Sequence, residues 1–504
     1  MNHKMLVLGL PLFFSACALG PDYSRPEVSL PDKYRAVKAE SAANAASEAI
    51  INPEWWRLFG DRELDKLIEL AFANNQDLVA AAARMEAAEA AAREVGANYF
   101  PEADLSFSDN RSRTSGETAA GKRMGVMIST NRRVALSVDY ELDLWGRIRR
   151  QNEAARAQAL SSRFARDSLT LSLAGMVTTE YLTIRMLDAE LDSAMANLAS
   201  WLRTERIMKA RFDAGLSSEM EWKQTVAAHA GAHAQWVELK RQRDLSENRL
   251  GLLAGQPGLT VLRAHEEHGE RNQAFFRKIP LLPIPPLGLP SSLLESRPDV
   301  RQAEENLVAA NAYIGVAKAA YFPMIGLTGM MGSESAELSK LFTAPARIWA
   351  YGLAAAMPLF DAGRTSARVD QASARQQEAL ANYRKAVQTA FGEVREALVN
   401  LNYYQKAAET LEVQVKAARD TERLAMARYE EGYSSFLEPL DSRRTLANAE
   451  LAYLSAYRNH LVAAVDLFKA LGGGWHEGWV KEAKDELKEE QQGGDAVAKA
   501  DEEN

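Results

Sequence analysis

The chain has 504 residues, 60 Lys and Arg against 68 Asp and Glu, a formal net charge of −8 and 47% hydrophobic residues. Its length allows one large domain or several ordinary ones, and interspersed charge with an acidic balance argues against a nucleic-acid partner. A single cysteine, Cys17, excludes an intrachain disulfide framework, and abundant Ala with sparse Gly and Pro points to a mostly helical chain.

The first element is an address. Lys4 precedes an apolar run from Met5 to Phe14, then Ser15, Ala16 and Cys17. Such a run is too short to span a bilayer and has the shape of a secretory signal, 1–16. Cys17 stands where a bacterial lipobox places its acylated residue, so 17–60 is expected to be a lipidated (palmitate-carrying) N-terminal segment. A plain signal with an incidental cysteine is the alternative. Downstream, no run reaches the roughly 18 apolar residues of a membrane-crossing helix.

Two Ala-rich helical stretches then end in near-identical residues, Tyr99-Phe100-Pro101 and Tyr321-Phe322-Pro323. Proline lacks an amide hydrogen and disfavours helix in the residue before it, so each helix stops sharply there. Beyond each stop the hydrophobic period becomes two. Val134, Leu136, Val138, Tyr140, Leu142 and Leu144 share one face of the predicted strand 134–144, with Ser137, Asp139, Glu141 and Asp143 on the other. A partner strand is predicted over 102–108 and a further one over 349–359. Residues 109–125 and 332–347 read as polar hairpin loops. Alternating strands of about ten residues are a membrane-barrel pattern, and Tyr and Phe suit a water–lipid interface; a half-buried sheet on a soluble core is the plainer alternative. Four strands cannot close a barrel, and open edges are not tolerated in lipid, so membrane strands here require several subunits.

Long helices follow, about 148–213 and 365–430, each without Pro and each close to 100 Å at 1.5 Å per residue. Both run to a glycine, Gly215 or Gly432, suited to a left-handed cap. The next helix is expected to open on a capping box, Ser218 with Glu221 or Ser435 with Glu438, with Pro439 in the first turn. The whole order recurs. Tyr99-Phe100-Pro101 and Tyr321-Phe322-Pro323 are offset by 222 residues; Gly146-Arg147 and Gly363-Arg364 by 217. An internal duplication is therefore predicted, 61–255 and 291–474, joined by a linker 256–290 and followed by a charged tail 475–504. Two copies with so long a period are not a solenoid.

His229 and His233 have zinc-like spacing, but Ala230 replaces the glutamate of a protease motif and no third ligand is evident. His265, His268 and the Gly-rich stretch after Leu471 lack a supporting context. No catalytic or metal residues and no cofactor are expected.

The stretches "ACALGPDYSRP", "WWRLFGDRELDKLIELAFANNQDL", "SRPDVRQAEENLVAANAYIGVAKAAYFP", "PLFDAGR" and "RYEEGYSSFLEPLDSRRTL" resemble the TolC-like outer membrane efflux protein family, and within it the OprM/NodT-type lipoproteins of resistance-nodulation-division (RND) pumps. That resemblance implies a trimer, mainly α, in which four strands per chain share a 12-stranded outer-membrane barrel continuing into a periplasmic α-helical tunnel. It implies a homotrimeric exit duct for drugs or other small molecules, anchored in outer-membrane lipid and working with a periplasmic adaptor and an inner-membrane RND pump. By the same resemblance, Gly215, Leu216, Ser217, Gly432, Tyr433 and Ser434 form adaptor-contacting tips, and Glu438 and Asp441 ring the periplasmic gate. A type I secretion channel shares this architecture, and a non-transport envelope lipoprotein is the reading from another class.

Overall fold

The computed structural model describes residues 18–28, 54–261 and 297–473, which form two compact units. Expectations that rest on Cys17, His265, His268, most of the linker and the tail lie outside the described residues. No described helix is long and apolar enough to cross a membrane.

The first unit takes Met1–Glu27, Arg84–Arg163 and Gln302–Tyr383. It holds one antiparallel sheet of β1 (Glu102–Arg113), β2 (Ile128–Glu141), β3 (Met324–Ser335) and β4 (Arg347–Ala356), in the order β1-β2-β3-β4. The first two strands come from the first sequence copy and the last two from the second. Their flanking helices approach closely because their contact is built from alanine: Ala154 and Ala157 pack on Ala309 and Ala312. An extended strap, residues 18–25, lies over this contact. The Leu19 amide donates to the Trp145 carbonyl at 3.1 Å, Arg150 donates to Asp22 at 2.6 Å, and Tyr23 and Arg25 both donate to Glu304. Arg150 and Glu304 are buried, and these bonds offset the cost of removing their charges from water.

The second unit takes Val28–Ala83, Phe164–Arg301 and Arg384–Asn504. Its helix α1 (Arg62–Asn74) starts on Asp61, whose carboxylate accepts from the Glu63 amide at 2.9 Å and from the Tyr181 hydroxyl. Asn75 likewise caps α2 (Gln76–Ala97), accepting from Asp77 and Leu78. Trp55 is fully buried and stacks on Phe468 at 5.3 Å, a contact worth roughly 0.5–1.5 kcal/mol beyond its buried area. Arg243, buried, is held by Asp188 at 2.8 Å, Glu247 at 3.1 Å and the Val261 carbonyl at 2.7 Å.

Among the described residues the remaining helices are the short α3 (Ala119–Met124), α4 (Arg147–Asp213), α5 (Glu219–Leu253), α6 (Pro298–Ala319), α7 (Arg364–Glu430) and α8 (Leu437–Ala470). The long helices α4 and α7 have 67 residues each, one residue from the predicted starts. Four expectations are corrected, the first being the strand expected over 349–359, which runs 347–356. The strand expected over 134–144 runs 128–141: Asp143 is spent on capping α4, accepting from the Ile148 and Arg149 amides, and Gly146 at φ +78° turns the chain between them. The expected loops 109–125 and 332–347 are partly strand, because polar residues there continue the ladder from Asp109↔Arg132 to Arg113↔Ile128 and on to Ser335. Ser435 makes no capping box: α8 starts at Leu437 behind Phe436, without a side-chain cap, whereas the Ser218–Glu221 box is complete.

Candidate functional site

The sheet sorts its residues by chemistry. Registers place Ala103, Val138, Gly329 and Tyr351 on one rung, Leu105, Leu136, Met331 and Trp349 on the next, and Phe107, Val134, Ser333 and Arg347 on the third, all on one face. The other face carries Glu102 and Asp139, Asp104 and Ser137, Ser106 and Ala135, then Ser108 and Arg133. The apolar face is bare: Leu105 is 75% exposed, Trp349 73% and Tyr351 83%. β1 and β4 pair on one side only, so both sheet edges are open.

At one end of this sheet stand the aromatic stops. Phe100 and Phe322 donate their amides back to Ala97 and Ala319, closing the last turns of α2 and α6. Tyr99, Phe100, Tyr321 and Phe322 are exposed. Trp145, absent from the sequence-based set, joins them: its ring lies 4.8 Å from that of Phe322 and its indole donates to the Pro323 carbonyl at 2.7 Å. Its place between Asp143 and Gly146, at the strand-to-helix switch, was the available signal.

The second candidate region, in the other unit, is built from two matched turns. Gly215 (φ +72°) and Gly432 (φ +81°) close α4 and α7, with Leu216 donating back to Arg211 and Tyr433 to Arg428, each at 2.8 Å. These six-to-one bonds, with Gly215 to Phe212 and Gly432 to Tyr429, are Schellman caps that require a left-handed residue. The structure brings the two turns together over one core of Trp201, Met208, Ala232, Phe436 and Leu440, with Tyr429 packed against it. Leu216 and Tyr433 project outward, 69% and 75% exposed. Ser217 donates to the Met208 carbonyl at 3.5 Å, and Ser434 is half-buried beside it in sequence-equivalent position.

Glu438 and Asp441 lie three apart on α8, both exposed. Glu438 faces Arg428 at 3.5 Å, and neither side chain is buried. Arg443 holds this helix in place: it donates to Glu422 at 3.0 Å and to Thr204 at 3.0 Å, with its guanidinium 5.2 Å from the Trp201 ring centroid. Sequence reasoning quoted Arg443 within "LDSRRTL" without giving it this role. His229 is half-buried against Glu205 of α4 at 2.7 Å, and the exposed His233 stacks on Trp236.

A bare apolar sheet face backed by a polar one, with open edges and very long helices, defines an outer-membrane channel of the barrel-and-helix type. The outer membrane efflux protein family model matches residues 67–256 and 289–473, and the chain belongs to that family. It is 33% identical over 469 residues to the outer membrane protein OprJ of Pseudomonas aeruginosa (93% of this chain, 95% of OprJ). It is 33% identical over 476 residues to the solvent efflux pump outer membrane protein SrpC of Pseudomonas putida (94% and 99%). Its fold is similar to the open-state crystal structure of the Neisseria gonorrhoeae MtrE outer membrane channel, with TM-score 0.80, 30% identity and coverage of 91% and 99%. The protein is thus an outer-membrane efflux channel with a TolC-like fold.

Proposed function

We propose that three copies of this chain close their sheets edge to edge into one 12-stranded barrel, forming the exit duct of a tripartite RND-type system for drugs or other small molecules. The observation that supports this most is the sheet itself. Four strands with a bare apolar face and two open edges are unstable in lipid alone, and three such sheets give an even-stranded barrel larger than the minimum of about eight. Cys17 is the acylated N-terminus in this reading, adding anchorage beside the barrel. The turns around Gly215 and Gly432, with Leu216 and Tyr433 presented outward and Ser217 and Ser434 half-buried beneath them, are the contact for a periplasmic adaptor, and Glu438 and Asp441 line the closed entrance.

The test is mass measurement of the purified membrane-extracted protein, conductance in planar bilayers, and drug susceptibility of a deletion strain. A trimer with discrete channel steps and a strain made drug-sensitive are expected. A monomer without conductance would sink the shared barrel. A deletion that blocks polypeptide export but leaves drug tolerance intact would instead favour secretion.

A further inference from the structure

The sheet's outward face changes character at the Phe107–Val134–Ser333–Arg347 rung. On β2 its apolar set runs from Tyr140 to Val134, six residues and about 20 Å along the strand, the kind of outward apolar band that faces lipid in a membrane barrel. Immediately at and beyond that rung the same face carries Arg347, then Asp109 with Arg132, then Arg111, then Arg113. That is four arginines against one aspartate, and the aspartate is already bonded to Arg132 at 3.1 Å. Arg111, Arg113 and Arg347 are exposed and make no side-chain hydrogen bond or ion pair among the described residues. Across from Arg113 stands Ile128, 61% exposed, so the charges are set among apolar surface.

The opposite face is different at the same height. There Ser108, Asn110, Ser112, Ser129 and Asn131 accompany one Arg133 and one Glu334, with no charge excess. Arginines placed to attract cargo or merely to keep a loop soluble would have no reason to avoid the polar face. Their confinement to the apolar side, at the upper margin of the band, matches the phosphate layer of the outer leaflet.

We propose that Arg111, Arg113 and Arg347, supported by Arg132, form a binding site for the phosphates of the outer-leaflet glycolipid, the diphosphorylated disaccharide of lipid A. Guanidinium groups suit phosphate through paired, charge-assisted hydrogen bonds. Successive outward positions on β1 are about 7 Å apart along the strand, so the stack reaches through a headgroup layer rather than at one depth. The site rests on the reading that this face is turned to lipid.

Two measurements keep that reading and the site apart. Bimane on Leu105→Cys, in a Cys17→Ser background that leaves one thiol, reports lipid contact through quenching by brominated acyl chains. Native mass spectrometry of the full-length protein released from detergent then reports lipid retention, with diphosphorylated and fully dephosphorylated lipid A as probes. Strong quenching, at least tenfold preferential retention of the phosphorylated lipid, and loss of that preference in R111Q/R113Q/R347Q are expected. Should the triple variant fail to assemble, the single Arg111→Gln and Arg113→Gln proteins, altered only at exposed positions, are required to weaken retention several-fold. Quenching without any preference in the wild type, or an undiminished preference in the variants, overturns the site while leaving the membrane face standing. Absence of quenching removes both.

Discussion

Ser218 and Ser435 occupy equivalent positions after the two long helices, yet only Ser218 caps one. Its hydroxyl accepts from the Glu221 amide at 3.2 Å while the Glu221 carboxylate accepts from the Ser218 amide at 3.0 Å. Ser218→Ala is therefore expected to cost about 1 kcal/mol, read as faster amide exchange in the first turn of α5. Ser435→Ala should leave α8 unchanged, because Phe436 starts that helix by burying its ring against Tyr429 and the tip core. Equal losses in both variants would contradict the difference between the caps. His460 supplies a pH dependence. It is buried in α8 with Nδ1 unpaired, and burial pushes its imidazole below the ordinary histidine range, against the Leu401 backbone hydrogen bond and the Glu409 charge. A neutral imidazole is thus favoured in the folded state, whereas the unfolded chain takes a proton near about 6.5. The associated stability is complete above that pH and is lost as pH falls through it toward the lower folded value. Burial raises Glu190 and Asp466, whose contribution has the opposite sign, so the His460 share is read from the difference between wild type and variant. The thermal midpoint should fall between pH 7 and 5.5, and His460→Gln should flatten that slope; an unchanged slope would assign it elsewhere.

At the scale of elements, the sheet face gives a directional test. Leu136 lies on the apolar face between Leu105 and Met331, while Ser137 lies on the polar face between Asp104 and Met330. Leu136→Arg is expected to cost about 2–4 kcal/mol near a bilayer midplane and to reduce the assembled species seen on unboiled gels. Ser137→Arg should assemble nearly as well as wild type. Equal defects would remove the lipid face. These elements also show what the residues reveal by themselves. Helices α4 and α7 were legible almost to the residue, because uninterrupted Ala-rich sequence and a following glycine are local signals. Strand faces were legible because period two survives any choice of partner. Strand ends were not: Asp109 to Arg113 look like loop until Arg132 and Thr130 are known to lie opposite, and that pairing is non-local. Asp143 continues the strand's alternation, yet its carboxylate is recruited by amides five and six residues on. The tip turns were readable as glycine caps, whereas their shared core of Trp201, Met208 and Phe436 draws on residues more than 200 apart. Arg443 escaped for the same reason, since its partners Glu422, Thr204 and Trp201 lie on other helices.

For the whole molecule, threefold assembly would multiply every tip charge, and the two candidate gate carboxylates are not equivalent. Glu438 has Arg428 at 3.5 Å in a half-exposed pair, worth little to stability but enough to offset its field locally. Asp441 is exposed one helical turn further along, with Arg443 turned instead toward Glu422. A ring of like charge favours cations and binds multivalent ones, so the closed channel should be cation-selective and blocked by them. The pairing makes an ordered expectation. Asp441→Asn should reduce selectivity and block more than Glu438→Gln does, and the double variant should reduce them most. Arg428→Gln should act in the opposite direction, since it releases Glu438 to add to the ring. All three side chains are exposed or half-exposed, so folding and assembly should be preserved in each variant, and bilayer recordings can be compared directly. Selectivity that is the same in wild type, Asp441→Asn and Arg428→Gln would place the gate elsewhere and leave Glu438 as the surface partner of Arg428.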